Sequence, residues 1–372
     1  MRSMKSADQT STNSLVTLRQ NAHRPGIRLL NLKDESVPGK RTGHMRNVKL
    51  YRYQLAMDSG VILRDQKLPQ RDGWIIELKE AENTGFGEVA PLPGFSKESF
   101  EEAGEQLQEQ LAKWAAGEEL HLDTLHPSVS FGLSIAQMEL VGGLPENGNY
   151  SVAPLCTGDP DDLLPVLSQL NGEKVAKIKV GLYEPIRDGM LVNLFLESIP
   201  DLSLRLDANR AWSPDEARKF ASYINPSYRQ RIAFLEEPCK QPGESLAFAI
   251  DTGIAIAWDE TLQHAVKQEG FALSELTGVK SLVIKPSLIG SIERCAALVK
   301  QAEKLGITSV ISSSLESSLG LNQLARLAHW LTPKSVPGLD TLSLFASQLE
   351  VPWPGSPLPV ESLESQELVF QC

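Results

Sequence analysis

The stretch LSLRLDANRAW, residues 202–212, alternates apolar side chains up to an acid, Asp207, and then halts at Ala208 and Asn209. It reads as a buried strand with a carboxylate at its end. Such a carboxylate carries a desolvation penalty unless a cation or hydrogen-bond donor neutralises it. Two later stretches repeat the arrangement: AFLEEP (residues 233–238) ends in Glu236 and Glu237, and IAIAWDE (residues 254–260) ends in Asp259 and Glu260. Upstream, VAKIKVG (residues 175–181) places Lys177 and Lys179 on one strand face, and downstream SLVIKP (residues 281–286) ends in Lys285. Along the chain the order is lysine, aspartate, glutamate, aspartate, lysine, at intervals of roughly 25 to 30 residues, the length of one βα unit in a barrel of eight such units. Strand ends of a parallel barrel open onto one mouth, so all five groups converge there.

Working outward, short apolar strands alternate with helices from about residue 151, at 151–155, 175–180, 202–207, 232–237, 254–259, 281–285 and 308–312, with an eighth candidate near 339–345. Residues 149–345 therefore read as a modified TIM barrel. Residues 45–148 show strand alternation first (48–57, 60–63, 74–78) and helices afterwards (96–114, with Ser96 as its N-cap, and 128–141), the sign of a separate α+β domain. The proline-rich tail, 346–372, is expected to return to that domain. The fold class predicted is α/β, a (β/α)7β TIM-like barrel with an α+β N-terminal capping domain. Between the first strands, the charged stretch RDQKLPQRDG (residues 64–73) reads as a loop, either a solvated hairpin tip or a lid over the barrel mouth. Residues 1–44, rich in Ser, Thr, Asn, Arg and Lys with little periodicity, read as a disordered extension.

The chain has 372 residues, 22% of them charged, with a formal charge of −11 and a pI near 5.2. That balance argues against a nucleic-acid surface or an anionic membrane as partner. No apolar run reaches a membrane span, and the four cysteines show no pairing or CxxC spacing, so a reducing cytoplasm is the expected location. Dinucleotide and P-loop glycine patterns are missing, the six histidines lie outside the constellation, and Ser312 has no partner base for a hydrolase triad.

Asp207, Glu236 and Asp259 offer only oxygen donors, which suit a hard divalent ion, Mg²⁺ before Ca²⁺ or Zn²⁺; the bland alternative is three independent acids capping the helices that follow. Such an ion would also relieve their mutual repulsion. Alternation turns Glu237 and Glu260 away from this cluster. A lysine is a poor base at neutral pH, and Lys177 and Lys179 should each ease deprotonation of the other. The run SSSLESS (residues 312–318) supplies hydroxyls and backbone N–H groups near a helix start, a cradle for a carboxylate in which Ser312 and Ser313 would bind substrate, or else a polar turn.

With the motifs KIKVG, LRLDANRAW, FLEEPC, AWDE, VIKP and ISSSLESS in place, the chain resembles the enolase superfamily, in its muconate-lactonizing subgroup, from residue 45 to about 360. The resemblance implies Asp207, Glu236 and Asp259 as ligands of Mg²⁺, with Mn²⁺ as a substitute, and Lys179 as general base. It implies Lys285 as the cation on the opposite side of substrate and Lys177 as a group that orients the substrate carboxylate or tunes Lys179. The implied activity is that of a metal-dependent carbon–oxygen lyase (a dehydratase) acting on a small-molecule carboxylate. Racemisation of an N-acylamino acid or epimerisation of a dipeptide is the alternative. The extension before Met45 and a few extra residues around 262–278 depart from the pattern without touching its motifs.

Overall fold

The computed structural model describes residues 45–372 apart from Ser59 and Asp65, so the expectation of a disordered segment at 1–44 lies outside the described residues. The capping region begins with β1 (Arg46–Ala56), a short hairpin of β2 (Ile62–Leu63) and β3 (Gln66–Lys67), then β4 (Gln70–Glu80) and β5 (Asn83–Val89). Strands β1 and β4 pair antiparallel over their whole length, from Arg46 opposite Glu80 to Ala56 opposite Gln70. The alternation in RNVKLYRYQLA is divided between two cores. Val48 and Leu50 pack with Trp74, Ile76 and the helices α1 (Phe100–Ala115) and α2 (Pro127–Leu140), whereas Tyr51, Tyr53 and Leu55 join the larger core shared with the barrel.

Helix α1 starts three residues later than its sequence suggests. Ser99, not Ser96, is the N-cap, in a reciprocal box with Glu102, while the Ser96 hydroxyl accepts the Leu92 N–H. The small residues of α2 permit direct contact with β5: a Cβ on Gly132 would strike Val89, and one on Gly87 would strike the Gly132 carbonyl.

The barrel follows as β6 (Leu155–Cys156), α3 (Pro160–Ser168), β7 (Val175–Lys179), α4 (Pro185–Ser198), β8 (Ser203–Asp207), α5 (Pro214–Ser222), β9 (Ile232–Glu236), α6 (Pro242–Thr252), β10 (Ile256–Trp258), α7 (Glu260–Ala265), β11 (Ser281–Ile284), α8 (Pro286–Ile289), α9 (Ile292–Lys304), β12 (Thr308–Ile311) and α10 (Ser318–Leu331). Its seven strands lie in sequence order, each parallel to the next. Phe234, Ala257, Val283 and Val310 fill the interior below the strand ends.

The eighth position is not a strand among the described residues. Gly338 makes one parallel bridge to Ser312, and the chain then coils through a single 3-10 turn at Leu342–Leu344. Leu339, Leu342 and Phe345 are buried at a spacing of three, the period of a tight helical turn rather than of a strand. The chain ends with a two-stranded pair, β13 (Gln348–Leu349) and β14 (Val360–Glu361), and with β15 (Glu367–Gln371), which adds to the free edge of β1.

The stretch 64–73 is only partly a loop. β4 begins at Gln70 because Arg71 is an inward residue of that strand, 2% exposed, and its guanidinium donates to the carbonyls of Ala90, Pro91, Ser314 and Leu315. Residues 70–73 are thus fastened in the sheet and cannot swing as part of a lid. Ahead of them Arg64 lies over the Phe95 ring and reaches Glu260 Oε1 at 3.3 Å.

Candidate active site

Period-two alternation on β7 turns Lys177 and Lys179 to the same side, and the parallel register sets Lys179 beside Asp207 and Asp207 beside Glu236. One register step lower, Lys177 projects between the two acids. Its Nζ is 3.0 Å from Asp207 Oδ2 and 3.0 Å from both carboxylate oxygens of Glu236. On the other side, Lys285, which follows β11, places its Nζ 2.6 Å from Asp259 Oδ2, and Gln263 Nε2 donates to Asp259 Oδ1 at 2.7 Å. Lys179 stands exposed at the rim, and no hydrogen bond or ion pair engages its ammonium among the described residues. A cavity of about 130 Å³ lies within the barrel against Lys177, Glu236, Lys285, Arg205, Ser312 and Ser313.

The buried charges set one another's protonation. Burial raises the Glu236 carboxyl, and the neighbouring Asp207 and Asp259 charges add to it against the pull of Lys177, leaving it at about 8. Burial works against the Lys177 charge too, but Asp207, Glu236 and Asp259 together outweigh it and hold this ammonium well above the ordinary lysine range. That reverses the expectation that Lys179 would ease deprotonation of Lys177, because the carboxylates are in direct contact. Asp207, although buried, is drawn below the usual carboxylate range by Lys177 and Lys285.

As the side chains stand, no three His, Cys, Asp or Glu residues among the described residues are grouped closely enough to grip one ion. Asp207 and Glu236 share Lys177, whereas Asp259 is turned to Lys285.

Of the two readings of residues 312–318, the backbone favours the polar turn over the cradle. The backbone N–H groups are committed: Ser312 to the Ile284 carbonyl, Ser313 to the Gly338 carbonyl, and Ser314 to the Glu316 carboxylate. The N-terminus of α10 already holds an anion, since Glu88 from β5 accepts from Ser317 N, Ser317 Oγ and Gly320 N, and from the Tyr53 hydroxyl. The Ser313 hydroxyl is bonded to Thr341 Oγ1 at 2.8 Å. Ser312, on the cavity wall, contributes its hydroxyl alone.

Several groups around the site had no clear signal in the sequence. Arg205 is an inward β8 residue that stacks on Phe234 and has a buried Nε without a partner. Gln263 could have been noticed from its position four residues after Asp259, one helical turn along α7. Glu237 turns away from the acid cluster, as alternation predicts, and instead bonds Arg210 and the chain around Thr261.

A barrel whose strand ends carry three acids between two lysine-bearing strands, closed by an α+β capping region, defines an enzyme of the enolase superfamily, and the comparisons agree. Residues 167–349 match the family model described as enolase C-terminal domain-like, and residues 45–140 match that of the MenC N-terminal domain. The o-succinylbenzoate synthase of Vibrio cholerae serotype O1 (strain M66-2) is 67% identical over 327 residues, covering 88% of this chain and 98% of that protein. That of Proteus mirabilis (strain HI4320) is 55% identical over the same length, covering 88% and 100%. The chain belongs to the o-succinylbenzoate synthase family. Among solved structures, an o-succinylbenzoate synthase from Thermosynechococcus elongatus BP-1 with Mg in its active site shares the fold, with a TM-score of 0.64 and 22% identity over 81% of this chain and 95% of that one. The L-Ala-D/L-Glu epimerase from Bacillus subtilis is equally similar in fold, with a TM-score of 0.64 and 18% identity over 81% and 91%.

Proposed function

We propose that this chain catalyses the Mg²⁺-dependent dehydration of 2-succinyl-6-hydroxy-2,4-cyclohexadiene-1-carboxylate to 2-succinylbenzoate, a step of menaquinone biosynthesis, in the cytoplasm. No helix among the described residues is long and apolar enough to cross a membrane. The observation that carries the reading is the ammonium of Lys177, a single positive centre held at 3.0 Å by carboxylates from two adjacent strand ends with the third acid on the next strand.

A divalent cation fits this donor set. The oxygens are hard, and Asp207 and Glu236 already share one positive centre, the Lys177 ammonium, at 3.0 Å, with Asp259 on the next strand. Asp207, Glu236 and Asp259 would hold the ion, with Asp259 rotating off Lys285. When bound, Mg²⁺, or Mn²⁺ in its place, supplies fixed positive charge against the negative charge that develops on the substrate carboxylate.

The chain's own groups supply the remaining chemistry. The Lys179 amine takes the proton from the carbon bearing the carboxylate, and the electrons of that C–H bond move into the carboxylate. As the ring double bond forms, the C–O bond at the neighbouring carbon breaks and the Lys179 ammonium gives the proton to the departing hydroxide, releasing water. Lys285 faces the developing charge from the other side, Lys177 orients the carboxylate, and Ser312 and Ser313 line the pocket for the rest of the substrate.

The test is loss of the cyclohexadiene absorbance with purified protein and Mg²⁺, its arrest by chelator and its return on adding Mg²⁺ back. Absence of turnover with Mg²⁺ present overturns the reading. The placement of Lys179 and Lys285 on opposite sides of the three acid-bearing strands also favours a second reading, a two-base racemase or epimerase, for which solvent deuterium would enter an N-acylamino acid at its α-carbon.

A further inference from the structure

Each of the three acids, at or just past the end of its strand, is followed closely by a member of a second, separate network. Arg210 comes three residues after Asp207, Glu237 directly after Glu236, and Thr261 two residues after Asp259. Glu237 is 1% exposed and its carboxylate is fully used. Oε1 accepts from the backbone N–H of Asp259 at 3.0 Å and of Thr261 at 2.8 Å, and Oε2 accepts from Thr261 Oγ1 at 2.9 Å and Arg210 Nε at 3.2 Å. Arg210 closes the ring by donating from Nη2 to Thr261 Oγ1 at 2.8 Å, and its backbone N–H meets the Glu237 carbonyl at 2.7 Å.

The backbone here is held in an unfavourable conformation. Asn209, Arg210 and Glu237 have φ of 46°, 61° and 41°, left-handed values that cost energy in residues with a side chain and persist only where surrounding contacts enforce them. None of these three side chains touches the cavity in the barrel. Their contacts run from one acid-bearing strand end to the next.

We propose that Arg210, Glu237 and Thr261 form a frame that sets the spacing of Asp207, Glu236 and Asp259, with Glu237 as the central positioning residue, and so tunes the site for Mg²⁺ over the larger Ca²⁺. The proposal rests on the reading of those three acids as the metal ligands. Mg²⁺ demands near-ideal octahedral geometry at short distances, whereas Ca²⁺ accepts longer and irregular coordination. A loosened frame penalises Mg²⁺ more. Groups that orient metal ligands typically cost 10- to 100-fold in affinity when removed.

Isothermal titration calorimetry of Mg²⁺ and of Ca²⁺ into the full chain tests this. Thr261→Val, which keeps the shape and loses the hydroxyl, is expected to weaken Mg²⁺ by about 10- to 100-fold and Ca²⁺ by less, while Thr261→Ser restores both. Arg210→Met, at a partly exposed side chain, should give the same change in the Mg²⁺/Ca²⁺ ratio and decides the matter if Thr261→Val does not fold. An unchanged ratio in the folded variants overturns the frame. Asp207→Asn separates the two levels. If it binds Mg²⁺ like the wild type, the ligand assignment has failed; if it loses Mg²⁺ while the frame variants keep wild-type values, the frame alone has failed.

Discussion

Replacing Arg71 by methionine removes the guanidinium that joins the capping sheet to the turn after β12. The side chain is 2% exposed and donates to four buried carbonyls, those of Ala90 at 2.6 Å, Pro91 at 2.7 Å, Leu315 at 2.9 Å and Ser314 at 3.2 Å. Each acceptor left without a partner costs ~1–3 kcal/mol, and with some relaxation and water entry the four together predict a loss of about 4 kcal/mol. A second effect follows from charge. Burial and the nearby Glu88 raise the Glu316 carboxyl to about 7, and Arg71 is one of the groups opposing that rise. Without Arg71 the Glu316 carboxyl rises further, so its ionised form is costlier in the folded protein and the loss is larger at pH 8 than at pH 6. Urea denaturation followed by circular dichroism at the two pH values measures both effects. A midpoint within about 1 kcal/mol of wild type, or a loss that is greater at pH 6, would refute the reasoning.

Further outcomes follow from the same geometry. Lys179→Ala is expected to lower kcat by ~10³-fold or more in the dehydration assay with the fold intact by circular dichroism, since the exposed ammonium supports no neighbour; near-normal turnover would remove it from the mechanism. Glu316→Gln keeps an acceptor for Ser314 N and removes a carboxyl whose folded-state value stands above its unfolded one. The variant should match wild type below pH 4.5, gain stability progressively between 4.5 and about 7, and level off above that, by about 3 kcal/mol at most, as read from unfolding midpoints across pH. Lys285→Met strips Asp259 of its 2.6 Å partner and should lower kcat while Mg²⁺ binding measured by calorimetry is retained; loss of both in equal proportion would make Lys285 a structural group.

Legibility of the fold tracked how much of its signal was local. Strands β7 to β12 each begin or end within a few residues of where alternation sets them, and the even spacing of Lys177, Asp207, Glu236, Asp259 and Lys285 brings all five to one mouth because parallel register is repetitive. Features that depend on partners far along the chain were not readable. The charge of Arg71 suggests solvent, but carbonyls more than 240 residues away hold it buried. The helix start at Ser317 resembles a free anion site in sequence, but Glu88, 229 residues earlier, fills it. The protonation of Lys177 was unreadable for a related reason: it answers to the acids that β8 and β9 bring within 3.0 Å, not to its sequence neighbour Lys179.

The most direct test of the account is anomalous diffraction from crystals grown with Mn²⁺. It predicts a single peak at the barrel mouth with oxygens of Asp207, Glu236 and Asp259 all at ~2.0–2.3 Å, Lys177 displaced from between the first two and Asp259 released from Lys285. A peak bound by only one of these residues, or lying away from all three, would contradict it.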